Sequence, residues 1–401
     1  MSHFRLALAL ACCVAIAPFA LDAYLPAFPD IALSLGVSVH EVSRSVSIYM
    51  IALSMGQLVG GPLADRWGRQ WVMMSGLALF VISSLAISQA DTLPWLLAWR
   101  FVQAFGGGWV IVCVPALVRD RVRGVEAARL FSLIGLITVA APAVAPSIGS
   151  LLLAWGGWQA VFYFIAIYGV LAAVAAKAVI FAGRPLLTTG QGDPHRESIV
   201  RRYRAVLATP SALRYVFLQA SVFSVMMLFV THASFIYQQY FDVSTGVFSA
   251  LFGANILLMW SVMLLNRWLL GRKSPANLLR AGVTLQATAV ALMLLVAVVI
   301  PKLVLFAPAL MLTVGAVGAT SPNCQACYME HFGSNGGTAA ALMGASQFGI
   351  AGLVSTASTL LPETLVTIVL TQTACALIAL TLAWWPVLQR RFSASSSVDA
   401  P

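Results

Sequence analysis

Charge is scarce in this chain of 401 residues. Only 9% are Asp, Glu, Lys or Arg, while 60% are apolar. Soluble domains carry about 25% charged residues, so the composition excludes a soluble enzyme of this length and also excludes intrinsic disorder. Cysteine is scarce too: Cys12, Cys13, Cys113, Cys324, Cys327 and Cys375 all fall inside apolar runs, which argues against a disulfide framework. The Cys324-Gln-Ala-Cys327 spacing brings only two thiols together, a poor zinc set, and is read as membrane packing. No Ser/His/Asp set, metal cluster or phosphate-binding loop stands out. Gly106-Gly-Gly108 lies within an apolar run rather than after a strand, so it is not a nucleotide fingerprint. No cofactor is expected, and without an ATP-binding motif any work must draw on an ion gradient.

Long apolar runs are what the chain has in abundance. A bilayer-spanning helix needs about 20 such residues. The first run follows Arg5 and meets only Asp22 before Asp30; others cover 45–64, 70–90, 101–118, 215–241, 243–266, 281–301, 303–329, 332–362 and 364–389. The run 130–176 is long enough for two helices, with Trp155-Gly-Gly-Trp158 as a tight turn flanked by interfacial tryptophans. Twelve spans result. The fold class expected is an all-α polytopic membrane protein of two six-helix halves, residues 1–182 and 214–401, joined by a basic cytoplasmic linker over 183–213. The start of the chain is read as an uncleaved first span rather than a secretory signal.

Orientation follows from the basic residues. Of 23 lysines and arginines, Arg44 and Lys302 fall on one side and Arg100 lies within a run; the remainder fall on the opposite side. The positive-inside rule puts that side, and both termini, in the cytoplasm. The net charge of +10 is therefore a matter of topology, and no nucleic-acid partner is expected.

Ionisable groups at membrane depth are functional candidates by default. Asp22 and Arg100 each sit about six residues from the outer end of their spans, ~9 Å deep at ~1.5 Å per residue. They are taken as a proton-coupling pair that can meet in a central cavity. Tyr24, Gln57, Gln103, His232, Tyr237, Asn255, Gln286, Asn323 and Gln347 are candidate polar groups in that cavity, although each alone is more often an interhelical hydrogen bond. Pro142, Pro146 and Gly149 make the fifth span a kinked, closely packed helix suited to rocking.

The segment Gly61-Pro-Leu-Ala-Asp65-Arg66-Trp-Gly68-Arg69, between spans two and three, resembles the loop motif of the major facilitator superfamily, with Gln70 in place of its final basic residue. Arg100-Phe-Val-Gln103-Ala-Phe-Gly106 is similar to that family's span-four motif. Ala141-Pro142 through Ala145-Pro146 and Gly149 resembles its antiporter motif, with Ser150 replacing the last glycine. Asp22-Ala-Tyr24-Leu25-Pro26 and Val118-Arg119-Asp120 are similar to strings of the Bcr/CflA drug-efflux subfamily. Asn266-Arg267 to Gly271-Arg272-Lys273 looks like a degraded second copy of the loop motif, as paired halves require.

The resemblance implies an inner-membrane transporter alternating between inward- and outward-open states, expected to work as a monomer on a small-molecule substrate and protons. It further implies export of amphipathic compounds such as chloramphenicol- or bicyclomycin-like antibiotics. Asp22 would exchange its proton for substrate, and Gly61, Asp65, Arg66, Gly68 and Arg69 would gate the cytoplasmic side. The rivals are a proton-coupled importer of a metabolite such as a nucleoside, and a non-transporting sensor or scaffold.

Overall fold

The computed structural model describes residues 3–121, 124–182, 203–204, 206–332 and 336–396, and among these the regular structure is helical with no strand. Eleven helices are long and apolar enough to cross a bilayer. One of them belongs to the helix Gly124–Ala175, which breaks at Gly156 and Gly157, where φ of 69° at Gly157 demands glycine. The Trp155–Trp158 turn is thus formed, and the chain spans the membrane twelve times. The linker expected over 183–213 lies largely outside the described residues; from Pro210 onward the chain is already in the seventh span.

Span one is a broken helix. The α-helix His3–Asp22 stops, a 3-10 turn covers Leu25–Ala27, and a short helix Phe28–Leu35 completes the crossing. Pro26 explains the break: it has no N–H to give to the carbonyl of Asp22, four residues earlier. Span two, Val39–Trp67, begins with a reciprocal cap between Ser38 and Glu41. It also corrects an expectation. Gly61 through Trp67 are the last turns of this helix, not a loop, and the whole reversal into span three (Arg69–Ser88) rests on Gly68, whose φ is 91°. Span four is Leu93–Arg121, and spans five and six are the two parts of Gly124–Ala175.

In the second half, span seven runs Pro210–Ser234 and widens into a π-helical end at Phe235–Tyr240. Spans eight and nine are Thr245–Leu269 and Pro275–Val299. Span ten joins Leu303–Gly315 to Val317–Met329, and spans eleven and twelve are Gly336–Ser358 and Leu365–Ser396. Helices approach closely wherever glycines lie at the contact, since lipid supplies no hydrophobic drive between them. A Cβ on Gly56 would strike the Phe105 carbonyl, and one on Gly108 the Leu53 carbonyl, so spans two and four touch backbone to backbone. Gly149 lies equally tight against the Ala23 carbonyl, bringing span five onto the break in span one.

The two halves meet through spans two and eleven and spans five and eight. Ser54 Oγ donates to the Ala345 carbonyl at 2.7 Å, and Ser249 Oγ to the Pro146 carbonyl at 3.1 Å. Gln238 Nε2 donates to the Pro26 carbonyl at 3.1 Å. Apart from Ser54, at mid-depth, these ties gather at the end of the bundle where Gly36 joins spans one and two. Among the described residues, no hydrogen bond or ion pair links the halves at the opposite, Gly68 end.

The close contact of spans two and four predicts that Gly56→Val lowers stability by about 1–3 kcal/mol through overpacking. Gly246→Ala, which meets open space, should stay within about 0.5 kcal/mol. Thermal melting of the detergent-solubilised protein reads both, and equal melts for the two variants would contradict the tight seam.

Candidate functional site

Arg100 is the largest fully buried side chain among the described residues. A cation at this depth needs compensation, and the break in span one supplies part of it. A helix leaves its last four carbonyls unpaired and carries a partial negative charge at its C-terminus. Arg100 Nη1 donates to one of those carbonyls, Ala20, at 3.0 Å, and to Gln103 Oε1 at 2.6 Å. Its guanidinium lies between two ring faces, 4.2 Å from the Tyr24 centroid and 4.3 Å from that of Tyr49. Gln103 Nε2 passes the chain on to Ser84 Oγ at 2.7 Å, and Ser84 in turn donates to the Phe80 carbonyl. Tyr24 donates to Ser45 Oγ at 2.8 Å, because the Ser45 hydrogen is already given to the Val42 carbonyl. Spans one, two, three and four are thereby tied around one cation.

Asp22 is 4% exposed, and among the described residues it has neither a hydrogen bond nor an ion pair. The pairing of Asp22 with Arg100 expected from their equal depth is not formed here. Arg100 is engaged by the carbonyl two residues earlier, and its Nε and Nη2 remain without hydrogen bonds. Asp22 is the last residue of the α-helix of span one, and the nearby Arg100, held on the Ala20 carbonyl, makes no ion pair with it.

The remaining expected cavity residues divide into two kinds. Tyr237 and Asn255 are buried, and each leaves a polar atom (the Tyr237 hydroxyl and Asn255 Oδ1) outside well-formed hydrogen bonds. Gln57 likewise has a free Nε2 at the seam with span eleven, close to Gly344. Asn323, by contrast, is spent on an interhelical tie: its Nδ2 donates to Asn266 Oδ1 at 2.6 Å and to the Ala319 carbonyl at 2.8 Å. Gln286 donates to the carbonyls of Val222 and Thr313, joining spans seven, nine and ten. Gln347 accepts from Gln219, which also reaches Ser321. His232 faces Glu363 and Ser358, near the Gly36 end.

Within the loop motif, Asp65 and Arg66 are exposed and make no hydrogen bond or ion pair among the described residues. Arg69 instead pairs with Asp120 at 2.7 Å, joining the start of span three to the end of span four inside one half. Sequence reasoning missed His40 and Glu363, which meet His232 between the halves. It also missed Tyr49, whose ring closes the Arg100 clamp and whose position in an otherwise apolar stretch was the available signal.

Arg100→Lys keeps the charge but loses the planar fork and its stacking. A loss of about 1–3 kcal/mol in stability is expected from the stranded Ala20 and Gln103 acceptors, read by thermal melting. An unchanged melt would remove the clamp from its structural role.

The arrangement agrees with known proteins. The family model described as "Major Facilitator Superfamily" matches residues 10–356. A "Bicyclomycin resistance protein homolog" of Haemophilus influenzae is 28% identical over 392 residues, 97% of this chain and 97% of the relative. "Multidrug resistance protein MdtL" of Escherichia fergusonii is 28% identical over 285 residues, covering 68% of this chain and 70% of that protein. The crystal structure of a D-xylose-proton symporter superposes with a TM-score of 0.77 over 94% of this chain and 97% of its own, at 13% identity, which is a likeness of fold. With twelve spans, a buried arginine clamp between spans one and four and these relatives, the chain is a multi-pass membrane transporter rather than an enzyme, and it belongs to the Major Facilitator Superfamily.

Proposed function

We propose that this protein exports small amphipathic compounds, including antibiotics of the bicyclomycin or chloramphenicol kind, in exchange for protons across the bacterial inner membrane. The observation that carries the reading is Asp22: a buried carboxyl with no partner among the described residues, at the C-terminal end of the span-one helix and beside the Arg100 clamp. An unpaired charge is costly in such a site, and accepting a proton removes it. Proton uptake and substrate binding then compete for one group. The drug-resistance names of the relatives supply the substrate class.

The cycle we infer is alternating access around the seam between the halves. With both termini cytoplasmic, as the positive-inside rule has it, the Gly36 end faces outward. The interhalf ties gathered there fit a state closed to the outside. Asp65 and Arg66, exposed at the Gly68 end and without an ion pair among the described residues, would then latch the cytoplasmic side in the opposite state, with Arg69 already fixed on Asp120. Gly61 and Gly68 would give the latch its geometry. Pro142, Pro146 and Gly149 let span five rock on the break in span one. Tyr24, Gln103, Tyr237 and Asn255 would contact substrate, while Asn323 and His232 serve the framework and the outer end. A monomer suffices for this cycle.

The test is drug-triggered proton movement in proteoliposomes, wild type against Asp22→Asn, over a panel of amphipathic drugs and nucleosides. Wild type should release protons on drug addition, and Asp22→Asn should lose at least about 90% of that signal, since removing the titrating group leaves nothing to exchange. Undiminished proton flux in Asp22→Asn would move coupling elsewhere. Inward accumulation of a nucleoside would favour the import reading, and dependence on sodium would replace the proton.

A further inference from the structure

Three side chains far apart in the chain converge between the halves at the Gly36 end. His40 lies in the first turn of span two, His232 near the end of the α-helix of span seven, and Glu363 in the connection between spans eleven and twelve. One ligand atom from each falls within 4.8 Å of the other two.

Hydrogen bonding decides which ring nitrogens carry hydrogen. His40 Nε2 stands 2.9 Å from the Thr359 carbonyl oxygen, which can only accept, so Nε2 is the protonated nitrogen. His232 Nε2 stands 2.9 Å from Ser358 Oγ. The Ser358 hydroxyl gives its own hydrogen to the Ser355 carbonyl at 2.7 Å, so His232 Nε2 must also donate. In neutral rings this leaves both Nδ1 atoms bare. Both face the same carboxylate oxygen, Glu363 Oε1, at 3.1 Å from His40 and 3.2 Å from His232. Lone pairs opposed at that distance repel unless something positive lies between them.

Two protons would do it, but they would make two imidazolium rings around one carboxylate. The rings are stacked with centroids 6.3 Å apart and 21° between planes, and His232 is 1% exposed, so that charge would be poorly solvated. A single divalent ion satisfies all three groups at once. Two bonds of ~2.0–2.1 Å meeting at a tetrahedral angle separate their ligand atoms by ~3.3 Å, close to the 3.1 and 3.2 Å between each Nδ1 and the carboxylate oxygen. Two imidazoles and a carboxylate select a borderline d-block ion over Mg2+ or Ca2+. The Thr359 carbonyl and the Ser358 hydroxyl hold the imidazoles in the required tautomer from behind, as outer partners of metal-binding histidines do.

We propose that His40 Nδ1, His232 Nδ1 and the Glu363 carboxylate form a binding site for a divalent transition-metal ion of the zinc class. Because His40 belongs to one half and the other two ligands to the second, the ion clamps the halves together at this end. A ligand that binds one state alone shifts the population toward it, so zinc holds the protein in this state. Binding itself does not depend on the transport reading.

The experiment titrates the purified full-length protein with Zn2+ against a competing chromophoric chelator, with Mg2+ as the control ion. Wild type should bind one Zn2+ per chain, Mg2+ should not compete, and Zn2+ should raise the melting temperature. His40→Asn and Glu363→Gln should each weaken Zn2+ by at least about tenfold and abolish the melting shift. Should a variant fail to fold, zinc-edge X-ray absorption on the wild-type complex decides: imidazole nitrogens and a carboxylate oxygen at ~2.0–2.1 Å are expected. No stoichiometric zinc in the wild type, undiminished wild-type affinity in both variants, or a sulfur-ligated spectrum would each overturn the site. None of these readouts needs substrate or a proton gradient, so a failure here is distinct from a failure of the export reading.

Discussion

A bilayer offers no water to an unpaired backbone group, and the architecture turns on how one such set of groups is satisfied. Pro26 cannot donate to the Asp22 carbonyl, so the α-helix of span one ends in mid-membrane with carbonyls to spare. Arg100 takes up Ala20 at 3.0 Å and brings a positive charge to the negative end of that helix. A break that would otherwise be costly becomes the point where four spans are joined. Tyr24 and Tyr49 cover the guanidinium faces, Gln103 carries the hydrogen-bond chain to span three, and Gly149 allows span five to close over the same spot. The same proline leaves Asp22 as the terminal residue of the helix, so the carboxyl and the clamp share one structural cause.

Among the described residues, the seam between the halves is unevenly held. Glycines and serines at the contact of spans two and eleven give close packing with few directional bonds. Directional ties are concentrated at the Gly36 end, where Gln238 meets Pro26 and His40 meets Thr359 and Glu363. At the Gly68 end, the Arg69–Asp120 pair stiffens the first half internally and leaves Asp65 and Arg66 exposed.

Much of this was legible beforehand, because membrane helices are read from composition and glycine from its neighbours. The run 130–176 divided at Trp155-Gly-Gly-Trp158 as expected, since only glycine accepts the φ of 69° found at Gly157. The polar groups at depth were also identifiable, and Asp22, Tyr24, Arg100, Gln103, Tyr237, Asn255, His232 and Asn323 are indeed all buried. What they bind was not. Asp22 and Arg100 lie at equal depth, yet depth is one coordinate of three, and Arg100 turned to a backbone carbonyl that no sequence pattern advertises. Gly61 looked like part of a reversal, but its helix continues to Trp67, because a glycine and a proline near a helix end do not stop it when lipid penalises every unpaired carbonyl.

The amino-acid sequence by itself determined the spans, their number and the identity of the few polar side chains buried among them. Those follow from local quantities: the length of an apolar run, the missing N–H of a proline, the missing Cβ of a glycine. Tertiary structure alone decided which of those polar groups meet. Positions 40, 232 and 363 share no local pattern, and only the docking of the two halves puts their ligand atoms within 4.8 Å. Such convergence depends on helix rotation and register across the seam, which are set by side-chain packing between segments hundreds of residues apart.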